Sequence, residues 1–172
     1  MAELEAEIAR LIKEYQAKTG KSLTIGSVES ASGGRIADKL TNVSGSSDYF
    51  KGSVVAYCNE VKIALLGVKK ATLENYGAVS EQTAREMAQG GRKLLDVDIC
   101  VSDTGIAGPS GGTAEKPVGL FYLGLAAKDE NLSQKHVFQG NREENKRDAA
   151  AAALNMLKQY LLRYIDKSKT AV

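Results

Sequence analysis

"TIGSVESASGGRIADKL", residues 24–40, passes from an apolar run into a helical pattern through Glu29-Ser-Ala-Ser-Gly-Gly. A strand that turns into a helix is the unit from which α/β sheets are built. A plain turn of this kind needs one glycine and one capping hydroxyl, whereas this one holds two serines and two glycines. Two readings stand side by side. In the first, Ser32 caps the helix and Gly33-Gly34 permit tight packing. In the second, Ser30 is a nucleophile at a strand end. The glycines then open the backbone to substrate, and N–H groups at the helix start hold an anion or oxyanion. The turn contains no GxxxxGKS/T, no GxGxxG and no G-x-S-x-G centred on Ser30. Position 33 is glycine, so an S-x-x-K pair is absent as well.

Outward from this turn the chain alternates. Leu4, Ile8, Leu11, Ile12 and Tyr15 predict a first helix that ends at Thr19-Gly20. Strands are predicted over 23–28, 53–57 and 97–101, and helices over 34–40, 59–66 and from Val79-Ser80 to Leu95, with Ser80 as N-cap. Two further strands, 118–126 and 132–138, are joined by a short polar turn and predict an antiparallel pair. A last helix over 142–165 opens on Asn141-x-x-Glu144, a capping-box variant. Its buried stripe is Ala150, Ala153, Leu154, Leu157, Leu161 and Ile165, and the tail from 166 is polar and frayed. The pattern predicts a single three-layer α/β/α domain, residues 1–172, on a mixed, mostly parallel sheet of about five strands.

Composition narrows the function. With 172 residues, 43% hydrophobic and 26% charged, the chain is neither disordered nor a membrane protein. No apolar run approaches the roughly 20 residues of a membrane span. The acidic, amphipathic start MAELEAEIARLIKEY is unlike a secretory signal. A net charge of +2 is too small to argue for nucleic acid as a partner. Cys58 and Cys100 read as two free, buried thiols in a reducing cytoplasm. His136 is the sole histidine, so any Ser-His-Asp chemistry would have to run through it. The base of an enzyme of this composition is expected to be another residue type.

Three segments follow predicted strands and are placed to meet at one sheet edge. Besides the serine turn these are "AYCNEVK" (56–62) and "DTGIAGPSGGTAEKPVG" (103–119). Lys62 can serve as base to a serine only if burial or a nearby positive charge keeps it neutral, and Tyr57 can relay or donate a proton. The plain alternative is a solvated lysine and a tyrosine packed at the sheet edge. The second segment holds five of the seventeen glycines and both prolines, which suits an anion nest and a flat ligand, or else a surface excursion. "GNREENKR" sets Arg142 and Lys146 on one face of a helix start, against the helix dipole. A bound phosphate would offset that cost, unless Glu143, Glu144 and Asp148 pair with them.

Taken together, "ESASGG", "GRIADKLTNVSGSSDYFKGSVVAYCNEVKIALLGV", "YGAVSEQTAREMAQG", "TGIAGPSGGTAEKPVGLFYLGLA" and "FQGNREENKR" resemble the CinA C-terminal domain family, the nicotinamide-nucleotide amidohydrolases. The resemblance covers residues 20–160. It implies hydrolysis of the carboxamide of nicotinamide mononucleotide to nicotinate mononucleotide and ammonia. By that similarity Ser30 is the nucleophile, Lys62 the base and Tyr57 an aid to proton transfer. Asn59, Thr104, Gly105, Gly108 and Arg142 shape the pocket or hold the phosphate, beside Ser32, Gly33 and Gly34 of the turn. The family implies an oligomer with no cofactor and no required metal, here in its stand-alone form. Four positions depart from its pattern: the usual "ESCTGG" reads "ESASGG" at 31 and 32, Cys58 replaces serine, and Lys146 replaces arginine. A nucleotide-binding module that keeps the pocket without the chemistry is the second reading.

Overall fold

A computed structural model describes residues 3–169, with side chains through Asp166. Strand β1 (Ile25–Glu29) lies inside the sheet, one strand from its edge. On one side it pairs in parallel with β2 (Phe50–Val55) and on the other with β3 (Ile99–Gly105). Strands β4 (Leu120–Ala126) and β5 (Asn131–Val137) continue antiparallel, giving the order β2-β1-β3-β4-β5. Strand β4 alone among these five runs against the others, so the sheet is mixed and mostly parallel by direction, as the sequence predicts.

Alternation along the strands divides the core. Ile25, Ile99, Val101, Leu123 and Leu125 face a layer made of α1 (Leu4–Thr19), α2 (Arg35–Thr41) and α6 (Arg142–Lys169). Val28 and Cys100 face the opposite layer, with Leu66 of α3 (Asn59–Leu66) and Met87 of α5 (Glu81–Leu95). Full burial of each large side chain of this kind contributes about 1.5–3 kcal/mol. The chain therefore leaves β1 through α2 on one face and leaves β2 through α3 on the other. The crevice between the carboxyl ends of two such strands is where open α/β sheets bind ligands.

The capping devices follow their sequence signals. Gly20 closes α1 in the left-handed region at φ 69°, and Ser80 Oγ accepts from Thr83 N–H at the start of α5. Asn141 and Glu144 exchange bonds at the head of α6, Asn141 N–H to Glu144 Oε2 at 2.7 Å and Glu144 N–H to Asn141 Oδ1 at 3.1 Å. All six residues predicted for the α6 stripe are buried. Helix α1 packs on α6, and Lys158 Nζ meets Glu7 Oε2 at 2.9 Å.

Several boundaries differ. Strand β2 starts and ends earlier than predicted because its register with β1 stops where Val55 faces Glu29, which frees Tyr57 from the sheet. Strand β3 runs on to Gly105, so the glycine loop begins only at 106. An extra helix, α4 (Lys70–Tyr76), stands between α3 and α5. Helix α6 continues past Asp166 to Lys169, and 170–172 of the expected tail lie outside the described residues. Cys100 is buried as expected, but Cys58, at the head of α3, is exposed. No helix among the described residues is long and apolar enough to cross a membrane.

Candidate active site

Ser30 leaves β1 at the carboxyl edge of the sheet and Lys62 rises from the first turns of α3, just beyond β2. Their side chains meet, with Lys62 Nζ 3.0 Å from Ser30 Oγ. Lys62 is 1% exposed. Its two other neighbours are backbone carbonyls at the exit of β2, Ala56 O at 2.9 Å and Tyr57 O at 3.1 Å. Carbonyl oxygens only accept, so a neutral amine gives them its two N–H bonds and turns its lone pair to Ser30. Burial lowers the Lys62 pKa from the ordinary lysine value, against the smaller pull of Asp103 and Cys58 in the other direction. The solvated lysine weighed from sequence is thereby replaced by a buried one.

Beneath the serine turn lie two fully buried carboxylates, Glu29 and Asp103. Glu29 accepts from the N–H groups of Gly34 at 2.8 Å, Ile36 at 3.1 Å and Ala37 at 2.8 Å. It is Glu29, at the strand end, that caps α2, whereas Ser32 makes no cap bond and is 0% exposed. An internal carboxylate thus fills the helix start where the sequence allows a bound anion. Ser32 Oγ lies 2.6 Å from Glu29 Oε2 and also bonds Asp103 Oδ1, so it faces inward rather than to a ligand. Asp103 accepts from Ser30 N–H at 3.1 Å and Ser32 N–H at 3.0 Å, fixing the turn. Burial pushes the Asp103 carboxyl up to about 6, with the Glu29 charge acting the same way and the Ser32 and Ser30 donors opposing it. Gly33 and Gly34 take φ 66° and 97°, a path that L side chains rarely follow.

The other expected residues divide. Tyr57 is exposed, and its hydroxyl accepts from Arg142 Nη2 at 3.1 Å rather than bonding Lys62. Arg142 also donates to Gly108 O at 2.7 Å, which ties the glycine loop to the head of α6. Lys146, one turn on, lies with Nζ 3.3 Å from where a Cβ on Gly33 would stand. Neither cation pairs with a nearby acid: Glu143 goes to Arg35, Glu144 to the cap, and Asp148 to Arg147. Asn59 is exposed at the start of α3. Thr104 is buried and donates to Ala78 O at 2.7 Å, on the side of the α4–α5 connection. Gly105 admits the ring of Phe121, which a Cβ would meet at 2.4 Å.

A groove of ≈ 580 Å³ opens beside Arg142, lined by Ala107, Pro109, Val118 and Gly140. His136 stands on β5, stacked on Phe138, three strands from β1 in the sheet order. Among the described residues no group of three or more His, Cys, Asp or Glu could hold a metal ion.

Three further residues belong to the site. In the sequence, capping preference favours a hydroxyl over Glu29, and Asp103 reads as a loop opening. Asn145 is fully buried, donates to Ala107 O at 3.0 Å and accepts from Gly140 N–H at 3.0 Å, which holds the loop from below. The sequence signal for Asp103 is an acid two positions after the run VDICV, at the sheet edge used by Ser30.

Known proteins align with this arrangement. The family model "CinA C-terminal domain" matches residues 3–161. A CinA-like protein of Syntrophomonas wolfei is 50% identical over 145 residues, 84% of this chain and 34% of that protein. A CinA-like protein of Endomicrobium trichonymphae is 50% identical over 139 residues, 81% of this chain and 32% of its own. The chain thus spans about a third of the length of these relatives. The crystal structure of a competence/damage inducible protein from Agrobacterium tumefaciens superposes with a TM-score of 0.82 at 38% identity, covering 90% of this chain and 93% of that one. The chain belongs to the CinA C-terminal domain family.

Proposed function

We propose that this chain is an amidohydrolase that deamidates nicotinamide mononucleotide to nicotinate mononucleotide and ammonia, with Ser30 as nucleophile and Lys62 as base. One observation carries the reading: a buried lysine whose other two neighbours are carbonyls stands 3.0 Å from a serine hydroxyl, the placement from which a neutral amine turns its lone pair to that hydroxyl.

The chemistry follows from that pair. Lys62 takes the Ser30 proton as Oγ attacks the carboxamide carbon, and an oxyanion forms. Ser30 and Ser32 N–H are committed to Asp103, and those of Gly34, Ile36 and Ala37 to Glu29. The N–H of Ala31, next to the nucleophile, has no such carboxylate partner and is the donor assigned to the oxyanion, worth about 3 kcal/mol when well aimed. The Lys62 ammonium returns its proton to the departing nitrogen, which leaves as ammonia. Water, deprotonated by Lys62, then opens the Ser30 ester and releases nicotinate mononucleotide. Arg142 and Lys146 supply positive charge for the substrate phosphate, and Tyr57 helps to orient Arg142 rather than to move a proton.

Ammonia release from nicotinamide mononucleotide by the wild type, Ser30→Ala and Lys62→Ala tests this. Activity lost in both variants is expected. Tight ligand binding by a pure but inactive wild type replaces the enzyme by a nucleotide-binding module. Activity that survives Ser30→Ala removes the nucleophile assignment.

A further inference from the structure

Ser32 Oγ touches a carboxylate oxygen on each side, Glu29 Oε2 and Asp103 Oδ1, and all three side chains are 0% exposed. A hydroxyl carries one proton, so it donates to one of these oxygens and no more. If both acids were ionised, the second contact would press two lone-pair-bearing oxygens together in a site without water to screen them. That contact calls for a further proton on one of the carboxyl groups.

We propose that Glu29 and Asp103 hold one proton between them through Ser32, seated on Asp103, and that this neutral carboxyl keeps Lys62 uncharged. The donors decide the seat. Glu29 receives three backbone N–H bonds from the start of α2, where the helix dipole favours an anion. Asp103 receives two, from Ser30 and Ser32. The chain of bonds therefore runs from Asp103 O–H to Ser32 Oγ, and from Ser32 O–H to ionised Glu29. Ser32 holds down the proton affinity of Asp103 only when it donates to it. With its proton committed to Glu29, the same contact raises that affinity beyond what burial alone does.

The consequence lies at Lys62. The groups that bear on this site are Glu29 from β1, Asp103 from β3, Lys62 and Cys58 from the α3 segment, and Lys146 from α6. An ionised Asp103 would draw a proton onto Lys62 and block its lone pair. A neutral one leaves Lys62 free to take the Ser30 proton and to give it up to the leaving nitrogen. Asp103 is thus a positioning residue, acting through Lys62, and this consequence rests on the Ser30–Lys62 reading above.

Two measurements test it without any turnover, so an inactive wild type would remove the amidase reading and leave this one standing. Infrared difference spectra at pH 7 should contain the C=O stretch of a buried protonated carboxyl group. That band should move on [13C]aspartate labelling and vanish in Asp103→Asn. Absence of the band, or its movement on glutamate labelling instead, overturns the assignment. The second measurement is the titration of Lys62 followed by [13Cε]lysine NMR in wild type and Asp103→Asn. Neutral for neutral, its proton affinity should stay within about threefold. A fall of about tenfold or more would mean that the substitution removed a negative charge, which also overturns it. Should Asp103→Asn fail to fold, the labelled wild-type spectrum decides alone.

Discussion

Gly90 of α5 lies against the carbonyl of Leu66, the last residue of α3, where a Cβ at position 90 would stand 1.8 Å from that oxygen. The helix that carries Lys62 therefore docks on α5 through backbone. Gly90→Ala gains about 1 kcal/mol of helix propensity yet must push α3 away. The expected outcome is a lower melting midpoint together with a kcat reduced by about tenfold or more, because Lys62 moves off Ser30. Calorimetry and ammonia release check it. A stabilised, fully active Gly90→Ala would show that the docking does not position the base.

Lys62→Met exchanges a buried amine for an apolar chain of similar length. The folded chain binds Lys62's proton less readily than the unfolded chain, whose lysine titrates near about 10.4. Between the lowered value and that point the unfolded state holds more protons, so stability rises with pH, and the burial penalty is full below the window. The variant should gain on the order of 1 kcal/mol at pH 7, about 2–4 °C in melting midpoint, and the gain should shrink toward pH 10. Deamidation should fall by roughly 10²–10⁴-fold. A stability difference that does not change between pH 7 and pH 10 would contradict the depressed proton affinity.

A neutral lysine base sets the acid limb of the pH profile. Because burial lowers the Lys62 pKa, kcat/KM for nicotinamide mononucleotide should rise with pH through a midpoint below the ordinary lysine value. Initial rates across buffers of constant ionic strength measure it. A midpoint near about 10.4 would count against Lys62 as the base.

Among the described residues, Arg142 by the glycine loop and Lys146 by the serine turn have no carboxylate partner. Arg142→Ala and Lys146→Ala should each raise KM for the mononucleotide by about 10–100-fold while kcat changes little, the signature of binding made equally in ground and transition states. With nicotinamide riboside, which lacks the phosphate, the same variants should be nearly silent. Equal effects on both substrates would place the two cations elsewhere in the mechanism.

Much of this site was legible because its parts follow strands. Ser30 and Lys62 sit at the exits of neighbouring parallel strands, and that placement follows from alternating elements alone. Helix α4 was not legible, since its first turn is held by a side chain from another helix: Glu86 of α5 accepts from Lys69 N–H at 2.8 Å and Thr72 Oγ1 at 2.7 Å. The inner acids were hidden for a related reason. Glu29 and Asp103 are far apart along the chain and are brought side by side by the parallel pairing of β1 and β3. The sequence places Tyr57 inside the strand, because the end of β2 depends on its register with β1, which an apolar run such as SVVAY does not reveal.

The acceptors on Lys62 belong to peptide groups, and peptide groups survive substitution. Side chains at 56 and 57 can drift without removing either carbonyl, so relatives of this chain can change the lining of the pocket while retaining the base. Insertion or deletion is another matter. One residue added between β2 and α3 would rotate both carbonyls away and strand the Lys62 amine in the interior without acceptors. The strand exit is therefore expected to vary freely in composition and hardly at all in length.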